Sequence, residues 1–326
     1  MDMGGFDIKE IKLEQLAPKK FIDEMVEEIR ATVGSGTAIN ALSGGVDSSA
    51  VTMLGHRALG DRLRTYFIDH GMMREGEPEH IISLFRKMGI SVELVDGRKE
   101  FFGRLKGQTD PELKRDAITQ AFYKDVFGRL VRDSGARFLL HGTNYTDVEE
   151  TVAGVKRQHN ILDQLGIDTQ KVYGYKVIEP LVRLRKPAVR IVAKALGLPK
   201  EIHQRPPFPG PALAARVIGE VTPERIGIVK KATKIVEDEL KTTKAFQYLA
   251  ILHEQKVTGV RDGKRDFGMQ IEVRCWESKD AVLAKPTRLP YPKLEKIAKR
   301  MTTEIPGVVS VTYNVTTKPP STIEPI

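Results

Sequence analysis

Cysteine is almost missing from this chain of 326 residues: Cys275 stands alone. No intrachain disulfide can form, and neither a Cys-rich zinc site nor a cysteine-held cluster can be built from one copy. A reducing, cytoplasmic compartment is therefore expected. Long apolar runs are missing too. Nothing approaches the roughly 20 consecutive apolar residues that span a bilayer, and residues 1–20 mix acids and bases without the apolar core of a signal segment. The expectation is a soluble protein with no membrane partner. Low-complexity tracts and internal repeats are also lacking, and the charged residues, 29% of the chain, alternate in sign. Disorder is not expected away from the ends.

Of the two signs of charge, the negative is scarcer. Asp and Glu number 43 against 52 Lys and Arg, a formal net charge of +9, which favours anionic ligands such as nucleotides, pyrophosphate, nucleic acid or an acidic protein. The basic residues are scattered, and no RNP, KH or zinc-finger pattern occurs, which argues against nucleic acid.

What is present is a hydrophobic content of 40%, enough to bury the cores of two domains. Phe21, Ile22, Met25, Val26 and Ile29 recur at helical spacing, with Gly34 as a stop. Ala38–Leu42 reads as a strand with one polar residue, ending in a Ser-Gly-Gly turn, and Ser48–Leu59 as a helix. Strands at Leu63–Ile68, Ser91–Val95, Phe138–Leu140 and Val177–Pro180 alternate with helices at Pro78–Met88, Lys114–Ser134 and Lys186–Leu196. That alternation predicts an α/β fold with a doubly wound, mainly parallel sheet. Arg205-Pro206-Pro207-Phe208-Pro209-Gly210-Pro211, with four prolines in seven residues, fits neither a helix nor a central strand and marks a boundary. The expected domains are 1–204 and 205–326. The second is a smaller α+β unit with helices at Thr222–Leu240 and Tyr291–Glu304 and strands at Met269–Trp276 and Val308–Val315.

Ser43-Gly44-Gly45-Val46-Asp47-Ser48-Ser49 is the segment with the clearest chemistry. Its glycines let backbone amides approach an anion, and the following helix directs its unpaired amides and positive dipole end to the same point. The longer Gly-x-x-x-x-Gly-Lys-Ser/Thr loop is absent. Asp47 would repel bare phosphate but suits a magnesium ion lying between it and pyrophosphate. The same residues would also serve as an ordinary Gly-Gly turn whose Ser or Asp caps a helix. Asp147 and Glu150, three apart after a strand end, could share a metal on one helical turn; equally, acids there complement the helix dipole.

Ser-Gly-Gly-Val-Asp-Ser-Ser after a first strand resembles the signature of the N-type ATP pyrophosphatase (PP-loop) family, whose fold is adenine nucleotide alpha hydrolase-like. Those enzymes adenylate a carbonyl-type oxygen, release pyrophosphate and let a nucleophile displace AMP. Ile68-Asp69-His70-Gly71-Met72-Met73-Arg74 resembles the family segment beside the nucleotide. Gly107 with Thr109-Asp110-Pro111-Glu112 and Lys114-Arg115, His141-Gly142-Thr143 with Asp147, Val148 and Glu150, Pro207-Phe208-Pro209-Gly210-Pro211, Arg216-Val217-Ile218-Gly219-Glu220-Val221-Thr222 and Lys318-Pro319-Pro320-Ser321-Thr322-Ile323-Glu324 narrow the match. Together they are similar to the synthetase half of GMP synthetases, which convert xanthylate (XMP) to guanylate.

The resemblance implies ATP and Mg2+ held by Ser43 to Ser49, with Ile68, Arg74, Gly142 and Thr143 beside the nucleotide and Asp47, Asp147 and Glu150 toward the metal. It implies catalytic roles for Asp47, for Lys156 on a lid and for Lys318, with Arg216, Lys318, Ile323 and Glu324 toward the acceptor. It also implies a homodimer through the second domain. No glutaminase half accompanies the chain, so a separate glutaminase subunit or free ammonia would supply nitrogen. The match is incomplete in four places. The lid keeps only Lys156, His159 and Asn160; the tail ends Ile323-Glu324-Pro325-Ile326; and Ala212 and the segment Arg274 to Ala284 depart from the family pattern. A divergent paralogue that adenylates another acceptor for amide or sulfur transfer is the competing reading.

Overall fold

The computed structural model describes residues 8–152, 175–261, 263–279 and 281–325, and for 150–152 the backbone only. These fall into two compact units, one of residues 1–68, 79–95 and 127–205 and the other of 69–78, 96–126 and 206–326. The late change of unit falls in the proline-rich segment, between Arg205 and Pro206. Segments 69–78 and 96–126, which a contiguous partition gives to the first domain, cluster with the second unit.

The first unit is built on a five-stranded sheet of β1 (Ala38–Ala41), β2 (Leu63–Asp69), β3 (Val92–Asp96), β4 (Phe138–Leu140) and β5 (Lys176–Ile178), in the order β3-β2-β1-β4-β5. β1 runs parallel to β2 and β4, and β4 parallel to β5. The chain moves outward from β1 on one side and resumes at β4 on the other. The crevice at the carboxyl ends of β1 and β4 is therefore the topological switch point where α/β sheets bind ligands. Helix α1 (Pro18–Val33) buries Phe21, Ile22, Met25, Ile29 and Val33 along one face. Helix α2 (Val46–Leu59) is buried nearly all round, and Gly55 is its point of closest approach to the sheet, since a Cβ there would stand 2.6 Å from Leu140 and 2.8 Å from Leu63.

Buried polar groups tie α2 to the strands. Thr65 of β2 donates to Asn40 Oδ1 (2.8 Å), the Asn40 amide donates to Thr52 Oγ1 (2.7 Å), and Thr52 donates to the carbonyl of Ser48 (2.8 Å). Asn40, the one polar residue of its strand, thus links β2 to Thr52 of α2, which in turn reaches Ser48 in the first turn of that helix.

In the second unit, β6 (Gln247–Arg261) and β7 (Lys264–Ser278) form a long antiparallel hairpin; β8 (Ala284–Pro286) pairs antiparallel with β7, and β9 (Val308–Tyr313) parallel with it. Helices Pro223–Leu240 and Tyr291–Glu304 match expectation, Thr222 capping the first through its hydroxyl. A core of Leu249, Ile251, Trp276, Ala284 and Ile323 lies on the sheet, so Trp276 packs rather than lines a site.

Two expectations differ. The long helix foreseen over Lys114–Ser134 is three helical pieces, Pro111–Gln120, a π-helical Ala121–Phe127 and Gly128–Ser134. β6 is not among the expected strands: its inner half is the short buried run Leu249–Leu252, and its outer half is largely exposed without apolar alternation. Among the described residues no helix is long and apolar enough to cross a membrane.

Two glycines give opposite outcomes. A Cβ on Gly268 would lie 2.4 Å from Val309 Cγ1 and 2.6 Å from the Gly307 carbonyl, whereas one on Gly227, inside a helix, meets nothing within 4 Å. Thermal or urea unfolding should show Gly268→Ala destabilised by about 1–3 kcal/mol and Gly227→Ala stabilised by about 0.5–1 kcal/mol through helix propensity.

Candidate active site

The loop after β1 is closed on itself by serines. The Ser43 amide donates to Ser48 Oγ (3.1 Å), the two hydroxyls lie 2.9 Å apart, and Ser48 Oγ donates to the Gly45 carbonyl (3.1 Å). Gly44 takes φ +74°, a conformation that disfavours side chains. A Cβ there would also press on Ile81 and on the Arg205 guanidinium, which donates to the Gly44 carbonyl at 3.0 Å. Arg190 donates to the carbonyls of His203 and Arg205, so the strut that holds the loop is itself held. Gly45 caps α2, and Val46 begins it, already buried. The first amides of α2 are directed out of its N-terminus with the positive end of its dipole.

Asp47 sits in the first turn of α2. Burial pushes its carboxyl above the ordinary value; Lys186 opposes this by charge and hydrogen bond, and Asp147 adds to it. One oxygen pairs with Lys186, while Oδ1 is buried with no partner, as is Ser49 Oγ. Asp147 lies in the helix Tyr145–Val152, where the Asn144 side chain accepts from Thr146 and Asp147 Oδ2 accepts from the Asn144 amide at 3.1 Å. That is a reciprocal cap, so Asp147 completes a helix start, and its charge also acts on Asp47. An orphaned carboxylate oxygen near a second carboxylate, beside the N-terminus of α2, fits a magnesium ion that keeps most of its ligands for water and phosphate. No group of three or more His, Cys, Asp or Glu able to hold a metal occurs among the described residues.

Gly142 is required by the fit of β4's end against the loop: a Cβ would lie 3.2 Å from the Ser48 amide nitrogen and 3.3 Å from Asp47. Thr143, buried, donates to Glu179 and so accepts from His141 Nδ1 at 2.8 Å. This places the His141 proton on Nδ1. Burial lowers the His141 pKa to about 4, against the pull of Asp147, so the imidazole is neutral at working pH. Ile68 is buried at the end of β2. The first unit thus brings Ser43 to Ser49, Gly142, Thr143 and Asp147 together. The Glu150 side chain and Lys156 lie outside the described residues.

Arg74 belongs to the second unit. It donates to Glu237 at 2.6 Å, lies near Glu77 and stacks 4.1 Å above the Phe208 ring. These partners hold the proline-rich segment, a role that the expectation of a nucleotide contact did not include.

The remaining predicted residues meet at a cleft of about 400 Å³ in the second unit, lined by Arg115, Pro207, Phe246, Gln247, Ala281, Lys318 and residues Thr322 to Pro325. Arg216, 1% exposed, forks onto Glu324 through Nε (3.1 Å) and Nη2 (3.0 Å), and Gln247 donates to the same carboxylate at 2.7 Å. Its remaining Nη1 is buried without a partner. Lys318 Nζ donates to the Ala281 carbonyl at 2.7 Å. Ile323 lines the cleft while its bulk joins the Trp276 core. The sequence reading missed Lys186, Arg205, Phe246 and Gln247 as site residues. Each is far along the chain from its partner, and none stands in a spacing that signals function.

Asp47 carries a stability cost. With its folded pKa above the unfolded one, the native state binds the extra proton, so stability falls as pH rises from the unfolded carboxylate range through the folded pKa. In EDTA at neutral pH, Asp47→Asn should therefore melt at or above the wild-type temperature, and calorimetry at pH below the ordinary Asp value should show that advantage gone.

Comparison with known proteins finds relatives along nearly the whole chain. Residues 234–325 match the family model of the GMP synthase C terminal domain. Over 307 residues the chain is 49% identical to a GMP synthase (glutamine-hydrolyzing) subunit of Archaeoglobus fulgidus, covering 94% of this chain and 98% of that protein. The corresponding GMP synthase subunits of Pyrococcus furiosus and Methanopyrus kandleri are 47% and 44% identical, each over 94% of this chain and 97% and 98% of their own lengths. At this identity and coverage, the chain belongs to the family of these GMP synthase subunits.

Proposed function

We propose that this protein is the ATP-dependent synthetase subunit of a two-subunit GMP synthase, a C–N bond-forming ligase that aminates XMP to GMP. The observation that carries the reading is the loop Ser43 to Ser49 at the switch point of a parallel sheet, with Asp47 half-satisfied within it, in a chain alike over nearly its full length to GMP synthase subunits. The family match runs through the altered tail to residue 325, which favours xanthylate over another acceptor.

The loop amides and the α2 N-terminus would bind the pyrophosphate part of ATP, and Lys186 would hold the charge of Asp47 in check. Magnesium, where bound by Asp47 and Asp147, would neutralise the leaving pyrophosphate. The C2 oxygen of xanthylate forms a bond to the α-phosphorus as the bond to pyrophosphate breaks. Ammonia then adds at C2, and AMP departs with that oxygen as the proton is lost. In the division 1–204 and 205–326, the first part would carry adenylation and the second the acceptor, with Arg216 and Glu324 fixing one another beside Lys318. Ammonia would come from a separate glutaminase subunit, as the glutamine-hydrolyzing name of the relatives implies. A cytoplasmic homodimer accords with the family resemblance and the single cysteine.

The test is pyrophosphate release and nucleotide product from ATP, Mg2+ and ammonium, with and without XMP. Xanthylate-dependent pyrophosphate accompanied by guanylate is expected; active ATP-binding protein that ignores XMP would overturn the reading. Asp47→Ala should lower kcat by at least about 100-fold through loss of transition-state charge stabilisation. Lys318→Ala should raise KM for XMP while leaving KM for ATP within about twofold, the mark of lost ground-state binding at one substrate.

A further inference from the structure

One wall of the acceptor cleft has no regular secondary structure. Residues 314–325 follow β9 as an irregular tail, yet Lys318, Ile323 and Glu324 on it line the cleft. A segment without ladder hydrogen bonds must be held by other groups if its side chains are to keep fixed positions. The tail is held at its start by paired backbone bonds between Lys318 and Ala284 (2.8 and 3.1 Å), and near its end by Arg216 and Gln247 on Glu324. Between these points the sheet grips the backbone through one side chain: Arg274 Nη1 donates to the Thr322 carbonyl at 2.7 Å and, more weakly, to that of Ile323 at 3.4 Å.

Arg274 is held in turn. It lies on β7, 11% exposed, and its Nε donates to Glu272 Oε1 at 2.6 Å on the same face of the strand. Glu272 Oε2 is 3.0 Å from His253 Nε2 on the neighbouring strand. Burial alone would push the Glu272 carboxyl up; bonds from His253 and Arg274 outweigh it and keep the group ionised. A guanidinium suits this place because its planar fork serves a carboxylate on one edge and carbonyls on another, which a single ammonium cannot do in fixed geometry.

We propose that Arg274, held by Glu272 and His253, is a positioning residue for acceptor binding: it fixes the tail at Thr322 and Ile323 so that Lys318 and Glu324 stand in place at the cleft. The proposal rests on reading the cleft as the xanthylate site. Its effect falls on the acceptor and not on ATP, since the phosphate loop belongs to the other unit.

The chain carries its own reporter, because its single tryptophan, Trp276, shares a buried cluster with Ile323. Loosening the tail admits water to that indole and shifts its emission to the red. The experiment compares wild type, Arg274→Gln, Arg274→Lys and Glu272→Gln in the full chain, by tryptophan emission, Kd for XMP and KM for ATP. In Arg274→Gln a red-shifted emission, an XMP Kd raised about tenfold or more, as loss of a charged hydrogen bond implies, and an unchanged ATP KM are expected. Arg274→Lys should recover part of both effects, and Glu272→Gln, which leaves the Arg274 contacts to the tail in place, should weaken XMP less. Unchanged Kd with shifted emission would overturn the proposal, as would raised Kd with unchanged emission, which would make Arg274 a direct ligand. Wild-type protein that binds no XMP would instead overturn the functional reading, and the emission comparison would still decide whether Arg274 seats the tail.

Discussion

The placement of the loop Ser43 to Ser49 depends on a short chain of buried hydrogen bonds. Thr65, Asn40 and Thr52 are each less than 5% exposed, and each hydroxyl or amide in the series donates to the next until Thr52 reaches the Ser48 carbonyl. Buried polar groups are costly when unpaired and rigid when satisfied. Here the satisfied series joins β2, β1 and the first turn of α2, so the turn between strand and helix is fixed from inside the protein. The serine bonds that close the loop and the Arg205 strut on Gly44 act on a segment whose ends are already set.

This rigidity allows the loop to keep groups that a freely relaxing chain would rearrange. Asp47 is buried with one oxygen unpaired and with Asp147 near enough to raise its pKa. Burial is the larger cause of that rise, and Lys186 offsets it only in part. Binding sites commonly retain such unfavourable charge because ligand binding relieves it, and the cost is met by packing elsewhere, here by a helix buried on nearly all sides.

The second unit solves a different problem with the same means. An irregular tail has no ladder of its own, so it is secured by side chains from a short helix and the sheet: Arg216 and Gln247 on Glu324, Arg274 on the Thr322 carbonyl. Arg216 also lies 5.3 Å from the Phe208 ring, on which Arg74 stacks. The proline-rich segment and the tail are thereby anchored within one network of guanidinium groups, which are more weakly hydrated than ammonium groups and cost less to bury.

Local chemistry was legible in the sequence. The Ser-Gly-Gly turn, the helix starting beyond it, the strand and helix alternation and the family motifs depend on residues close along the chain, where amide geometry, positive φ at glycine and hydrophobic period act directly. Asn40 could be seen only as a polar interruption in an apolar strand, since its partners Thr52 and Thr65 are brought to it by strand pairing and helix packing. Arg74 carried a motif but took partners in the second unit, and the outer half of β6, largely polar and exposed, gave no periodic signal. The sequence by itself determined the loop, the alternation and the family. The tertiary structure decided which distant charges meet, Asp47 with Lys186, Arg216 with Glu324 and Arg274 with the tail, because ion pairs and forks are selected by proximity in space and leave no spacing rule along the chain.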